Sequence, residues 1–224
     1  MSTKATIAAL IAASGMGVAS ADLINPTTLH TSPDGPTKGL QTLINTYGLT
    51  TQVGTVGESM GDQTDDELFS MCRYAEEMHW QVTWQNAGYG PHHKIGYFAP
   101  DAPSAITWVI GGSASGLPSS ASVVVEGLFG VALWSGDHGS SSSTIYRSVT
   151  SLNGDAKDHM ASFLVRDGAG EVSACDRLLA WEDLANLGDK DYNDIGLIVR
   201  GMVPTPSAAA MLGLAGLTMG RRRR

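Results

Sequence analysis

The spacing of apolar positions changes once along the chain. After Pro36, a residue suited to a helix start, Leu40, Leu43, Ile44 and Tyr47 follow at steps of three and four, and Gly48 stands where such a helix would stop. A second helical series begins at Thr64, with Glu67 three residues on in a capping-box pattern. It runs through Leu68, Met71, Cys72, Ala75 and Met78. From about Gln81 the period becomes two: Val82 and Trp84, Ile95 and Tyr97, Ile106, Trp108 and Ile110, then Val123 and Val125 alternate with small or polar residues. Leu128 to Trp134, Thr144 to Val149, Met160 to Val165, Leu178 to Trp181 and Ile195 to Val199 add further strand-length runs.

Turn sequences separate these runs: Asn86-Ala87-Gly88, Gly111-Gly112-Ser113, Ser135-Gly136-Asp137, Asn153-Gly154-Asp155 and Asp167-Gly168. The pattern predicts a mostly β chain: a β-sandwich or jelly-roll-like domain with one or two short N-terminal helices. Composition agrees. Charged residues are only 16% and glycines number 27 of 224, which argues against a coiled coil or helix bundle.

The two ends read as addresses. Lys4, the uncharged run Ala5 to Val18 and the small residues Ala19-Ser20-Ala21 form the order of a secretory signal peptide over 1–21, cut before Asp22. The other reading of this stretch is a buried N-terminal helix. Residues 22–39, with Pro26, Pro33 and Pro36, form an extended lead-in to a single β-rich domain over 40–201. Residues 202–224 form a tail: Val203-Pro204-Thr205-Pro206, an apolar run from Ala208 to Gly220, and four arginines. As a helix that run spans about 20 Å, short of a ~30 Å hydrocarbon core, so it suits transient retention better than permanent anchoring. A tail that simply lies on a membrane is the alternative.

The charge balance sharpens once these ends are set aside. Of 14 basic residues, Lys4 and Arg221 to Arg224 sit in the addresses, leaving nine against 22 acidic ones. A body this acidic repels phosphates and excludes nucleic acid as a partner; cations are its natural company.

The acidity gathers in one place. Leu178-Leu179-Ala180-Trp181 ends on Glu182 and Asp183, and Gly188-Asp189-Lys190-Asp191-Tyr192-Asn193-Asp194 leads into the next strand. One connection therefore carries Glu182, Asp183, Asp189, Asp191, Asn193 and Asp194. Carboxylates this close raise one another's proton affinity, a cost that a divalent cation removes. Calcium takes six to eight hard oxygens, and the alternation of Asp189, Asp191 and Asn193 lets side chains converge when a loop curls around an ion. This is not an EF-hand: counting from Asp189, the required glycine and glutamate positions hold Asp194 and Arg200. His92-His93 lacks a Cys or His partner at zinc-ligand spacing. The alternative is a solvated turn held by Asx hydrogen bonds. Asn153, Asp155 and Asp158 form a second candidate cluster, in an ordinary turn sequence, with His159 as a structural hydrogen-bond donor beside it.

Two resemblances follow from these residues. Val203-Pro204-Thr205-Pro206 with the apolar run and terminal arginines resembles the PEP-CTERM sorting signal of bacterial surface proteins, with Thr205 where that signal has an acidic residue. The resemblance implies export to the cell surface or extracellular space and processing of the tail by an exosortase-type enzyme, with membrane contact only through the tail before processing. Ser151 to Asp155, Asp158 to Met160, Phe163, Leu179 to Leu184 and Gly188 to Asp194 together resemble the family catalogued as domain of unknown function 4114, whose distinctive core here is 128–199. Ile95-Gly96-Tyr97-Phe98 stands where that family has a Phe-Gly strand. The resemblance implies a β-sandwich and calcium held by Glu182, Asp183, Asp189, Asp191, Asn193 and Asp194, but no molecular function.

Cys72 and Cys175 are the only cysteines; an exported chain would either bridge them or bury both thiols. Three functions compete. One is a non-enzymatic, calcium-stabilised structural or adhesive domain of the cell surface or extracellular matrix, with extracellular polysaccharide or surface proteins as partners. Another is a calcium-dependent carbohydrate-binding module that stacks sugar on Trp134, Trp181, Tyr192 or Tyr146. The third is an extracellular hydrolase using Glu182 and Asp191 as acid and base. No nucleophile elbow, triad motif or phosphate loop accompanies these carboxylates.

Overall fold

A computed structural model describes residues 23–24, 28–29, 32–54, 61–64, 67–86, 93–111, 120–136 and 144–205. Residues 1–21, which read as a signal peptide, residues 206–224, most of the stretch that reads as a sorting tail, and His92 lie outside these described residues. Among the described residues, the helix α1 (Leu40–Thr46) precedes twelve strands: β1 (Gln63–Thr64), β2 (Phe69–Met71), β3 (Met78–Gln85), β4 (Lys94–Phe98), β5 (Ile106–Gly111), β6 (Ser120–Val123), β7 (Leu128–Ser135), β8 (Thr144–Arg147), β9 (Met160–Arg166), β10 (Val172–Trp181), β11 (Ile195–Arg200) and β12 (Met202–Pro204). They form two antiparallel sheets. The first has the order β1-β9-β10-β11-β3-β6; the second has the order β12-β2-β7-β4-β5, with β8 also paired to β7. This is the expected β-sandwich.

Period-two alternation on β10 and β11 makes the core. Leu179 and Trp181, with Ile195, Leu197 and Val199, point between the sheets and meet Phe69, Trp80, Ile95, Phe129, Val131 and Leu133. The opposite face of the first sheet is buried as well. Leu178, Ala180, Ile198, Ala161 and Phe163 pack beneath Leu29, Leu40, Ile44 and Val53 of the lead-in, α1 and the segment after it. Burial on both faces explains why β9 to β11 read as nearly continuous apolar runs rather than clean alternations.

Three details depart from the sequence pattern. The first helix begins at Leu40 after Gly39, not at Pro36; it ends where expected, with Gly48 at φ +75°. The second helical series forms no helix. Thr64 pairs with Ser162 in β1, and Phe69 to Met71 form β2 between β12 and β7. An isolated helix of that length is marginal in water, and three long-range ladders outweigh its local spacing. Val82 and Trp84 do not share a face. The β3–β11 register shifts between Gly196 and Leu197, leaving Thr83 as an extra residue, and Trp84 turns to the outer layer while Val82 stays with the sandwich core. Trp84 lies directly over Gly196, where an added Cβ would meet the indole at 2.1 Å.

Cys72 and Cys175 are joined in a disulfide, with Cα atoms 5.6 Å apart. Cys72 follows β2 of the second sheet, and Cys175 lies in the irregular stretch of β10 between Ser173 and Arg177. The bridge therefore staples one sheet to the other. Gly201 closes the same corner: its carbonyl accepts from the Cys72 amide, and its own amide donates to the Cys175 carbonyl, both at 2.7 Å. Beyond it, β12 uses Met202, Val203 and Pro204, so the sheet reaches into the stretch assigned to the tail.

Candidate metal centre

The acidic connection is the hairpin loop 182–194, closed where Trp181 pairs with Ile195. It is far longer than an ordinary hairpin turn of about two to five residues. Its entry is fixed by the Glu182 amide donating to the His159 carbonyl (3.0 Å), and its two ends are tied by the Asp183 amide donating to Asp194 Oδ2 (2.9 Å). Between them the backbone curls tightly. A 3-10 turn spans Ala185–Leu187, and Asn186, Leu187, Lys190 and Tyr192 all have positive φ. Only one other described non-glycine residue, Ala156, shares that conformation. Left-handed residues of this kind are uncommon, so their concentration in one loop makes the curl unusually tight for a connection between two strands.

Tyr192 pegs the curl in place. Its ring is buried in the outer core with Phe163, Leu178 and Ala180, and its hydroxyl donates to the Asp158 carbonyl at 2.6 Å. With Tyr192 held, Asp191 and Asn193 on either side are also buried. The Asn193 side-chain nitrogen donates to the Lys38 carbonyl (2.8 Å) and Asp191 Oδ2 (2.6 Å), with Ser32 Oγ at 3.2 Å. Asn193 thus holds Asp191 and fastens the loop to the lead-in, rather than pointing its amide nitrogen toward the other carboxylates.

The carboxylates gather into two groups. Oxygen atoms of Glu182, Asp183 and Asp194 lie within 4.8 Å of one another, as do oxygens of Glu182, Asp189 and Asp191. Two oxygens across one calcium ion are at most about 5 Å apart, so each group has the dimensions of one coordination shell. Glu182 is fully buried, and both its carboxylate oxygens lack a hydrogen-bond partner. Asp194 is close, yet two carboxylates have no donor between them unless one keeps a proton. Burial, reinforced by Asp194, Asp189 and Asp191, pushes the Glu182 carboxyl up to about 10. Burial, with Asp183 and Asp189 nearby, raises Asp194 to about 8. Burial raises Asp191 too, despite hydrogen bonds that oppose the shift. An unpaired buried carboxylate is expensive, and its presence here is the orphaned polar group that a bound cation would satisfy. The donors are hard oxygens throughout, the set suited to calcium rather than to a thiolate-seeking metal.

Gly188 makes the gathering sterically feasible. It has φ +41°, and a Cβ there would stand 2.6 Å from Glu182 Oε1 and 2.9 Å from Leu184. Neither this role of Gly188 nor a contact of His93 with the acidic loop follows from the sequence pattern. His93 Nε2 lies 2.9 Å from Asp183 Oδ2, both buried, though the approach is poorly aligned for a hydrogen bond. Chain order hides this contact because His93 precedes β4 and Asp183 follows β10. Gly188 was at least signalled by its place among bulky neighbours in a dense acidic run.

The second cluster braces the first. Both polar atoms of the Asn153 amide are occupied: Oδ1 accepts from the Arg147 amide, and Nδ2 donates to the Arg147 and Lys157 carbonyls. Asp155 Oδ2 accepts from the Asn186 amide (2.8 Å) and lies 3.0 Å from His159 Nε2, while Oδ1 accepts from the Lys157 amide. These donors hold Asp155 below its ordinary value against the opposing effect of burial. Asp158 Oδ1 accepts from the Met160 amide. His159 is fully buried, stacks on Tyr146 at 3.7 Å, and places Nδ1 3.0 Å from the Glu182 carbonyl. The rings considered for sugar stacking are mostly core: Trp181, Tyr192 and Tyr146 are buried, and Trp134 is half-buried beneath the Lys94 ammonium.

Residues 126–201 match a family described as a domain of unknown function, DUF4114. The matched stretch runs from just before β7 to just past β11, so it contains both acidic clusters and the loop between β10 and β11. No curated protein and no solved structure shows a significant match.

Proposed function

We propose that this chain is an exported structural or adhesive domain of the bacterial cell surface or extracellular matrix, held rigid by calcium in the loop 182–194. One observation carries the calcium reading: a fully buried Glu182, its two oxygens unpartnered, set among Asp183, Asp189, Asp191 and Asp194. Glu182, Asp183, Asp189, Asp191 and Asp194 would hold the ion through their carboxylates, while Asn193 and Tyr192 keep the loop curled. The ion would supply the positive charge that lets these groups ionise together. The inter-sheet disulfide suits an oxidising compartment, and the leader and tail patterns support export.

The competing readings have less support. Sugar stacking needs open ring faces, and three of the four candidate rings are core. Hydrolysis by Glu182 and Asp191 needs both to touch substrate, and both are fully buried. Calcium should raise the melting temperature of the chelator-stripped protein by mass action. Asp189→Ala or Asp191→Ala should reduce that gain. A wild-type melt indifferent to calcium and chelator would reject the reading.

A further inference from the structure

The two carboxylate groups share a single member, Glu182. Asp183 and Asp194 make up one group with it, and Asp189 and Asp191 the other. All five do not fall within one 4.8 Å set, so one ion does not gather them all. Resting on the calcium reading above, we propose that the loop holds two divalent cations side by side, with the Glu182 carboxylate bridging them.

Glu182 is suited to the bridge. Both its oxygens are buried and unpartnered, so each can face one ion. Were both oxygens spent on a single ion, the opposite pair of aspartates would remain pressed together without a cation. Charge points the same way. Five carboxylates around one dication leave three negative charges in a loop where Glu182, Asp183 and Asp191 are buried; a second dication leaves one. The three residues of each group do not complete a calcium shell, so backbone carbonyls and water must supply the remaining oxygens. The exposure of Asp189 gives water a route to its side of the loop.

The closing test is stoichiometry. The full chain, stripped with chelator, is titrated with calcium and read by native mass spectrometry and calorimetry. Two calcium ions per chain are expected. Asp189→Asn and Asp183→Asn should each retain one, and Glu182→Gln should weaken both by about tenfold or more. One ion in the wild type would overturn the bridge but leave the calcium reading standing. Two ions held by Glu182→Gln at wild-type affinity would also overturn it. No bound calcium would remove both inferences. Should a variant fail to fold by near-ultraviolet circular dichroism, the wild-type count still decides between one ion and two.

Discussion

Without calcium, raising the pH should destabilise the protein steeply; with calcium, most of that dependence should vanish. The folded-state pKa values of Glu182 and Asp194 lie above their ordinary values of 4.5 and 3.8. The folded chain therefore keeps a proton that the unfolded chain has released. The stability it contributes is complete below the unfolded values and is lost as pH climbs toward the folded ones. One retained proton corresponds to about 1.4 kcal/mol per pH unit. Because the two carboxyls face each other and titrate as a pair, one proton is counted for both. From about pH 5 to about pH 8 the loss is then about 4 kcal/mol, a large share of a typical ~5–15 kcal/mol total. For a domain of this size that lowers Tm by about 10 °C. Calcium takes the place of the proton, since ligation needs ionised carboxylates, and should hold Tm nearly level across the same range. Glu182→Gln stays neutral at every pH. In chelator near pH 8 it should melt above the wild type, yet below the calcium-loaded wild type. Thermal melts at several pH values, with calcium and with chelator, read this directly. Parallel pH profiles in the two conditions, or a Glu182→Gln slope equal to that of the wild type, would refute the reasoning.

Two further outcomes concern the scaffold. Replacing Cys72 and Cys175 by serine should cost about 4–5 kcal/mol on the chain-entropy estimate for a loop this long, seen as a lower midpoint in urea, with reductant bringing the wild type to the same value. Asp155→Ala removes the acceptor for the Asn186 amide and the partner of His159; it should lower stability by about 1–3 kcal/mol while leaving calcium stoichiometry unchanged, and a lost ion would instead make Asp155 a ligand.

Much of the sandwich was legible because strand periodicity is a local signal. Ile95, Val131, Leu133, Leu179 and Leu197 alternate with small or polar neighbours, or sit within short apolar runs bounded by turns, and all reach the core. The segment from Thr64 to Met78 was misleading because its apolar residues also fit helical steps. Its actual partners, β7, β9 and β12, lie far away in the chain. The acidic residues were legible as a group, since Glu182 to Asp194 are consecutive in one connection. Their division of labour was not. Nothing local says that Asn193 turns toward Lys38, that Tyr192 is a peg rather than a stacking platform, or that Asp155 braces Asn186. Those roles depend on the lead-in, the outer core and the 153–159 turn arriving at the same place.

The inter-sheet disulfide also sets how far this molecule could be drawn out by force. If the chain were loaded between its two ends, tension could unravel the lead-in, α1, β1, β2, the end of β10, β11 and β12. The segment between Cys72 and Cys175, separated by 103 positions, would remain a closed ring outside the load path. At full extension that ring withholds about 350 Å of contour length. It contains β3 to β9 and the first part of β10, so those strands would be shielded from the load by the covalent closure, while the acidic loop would lie on the strained side of the staple.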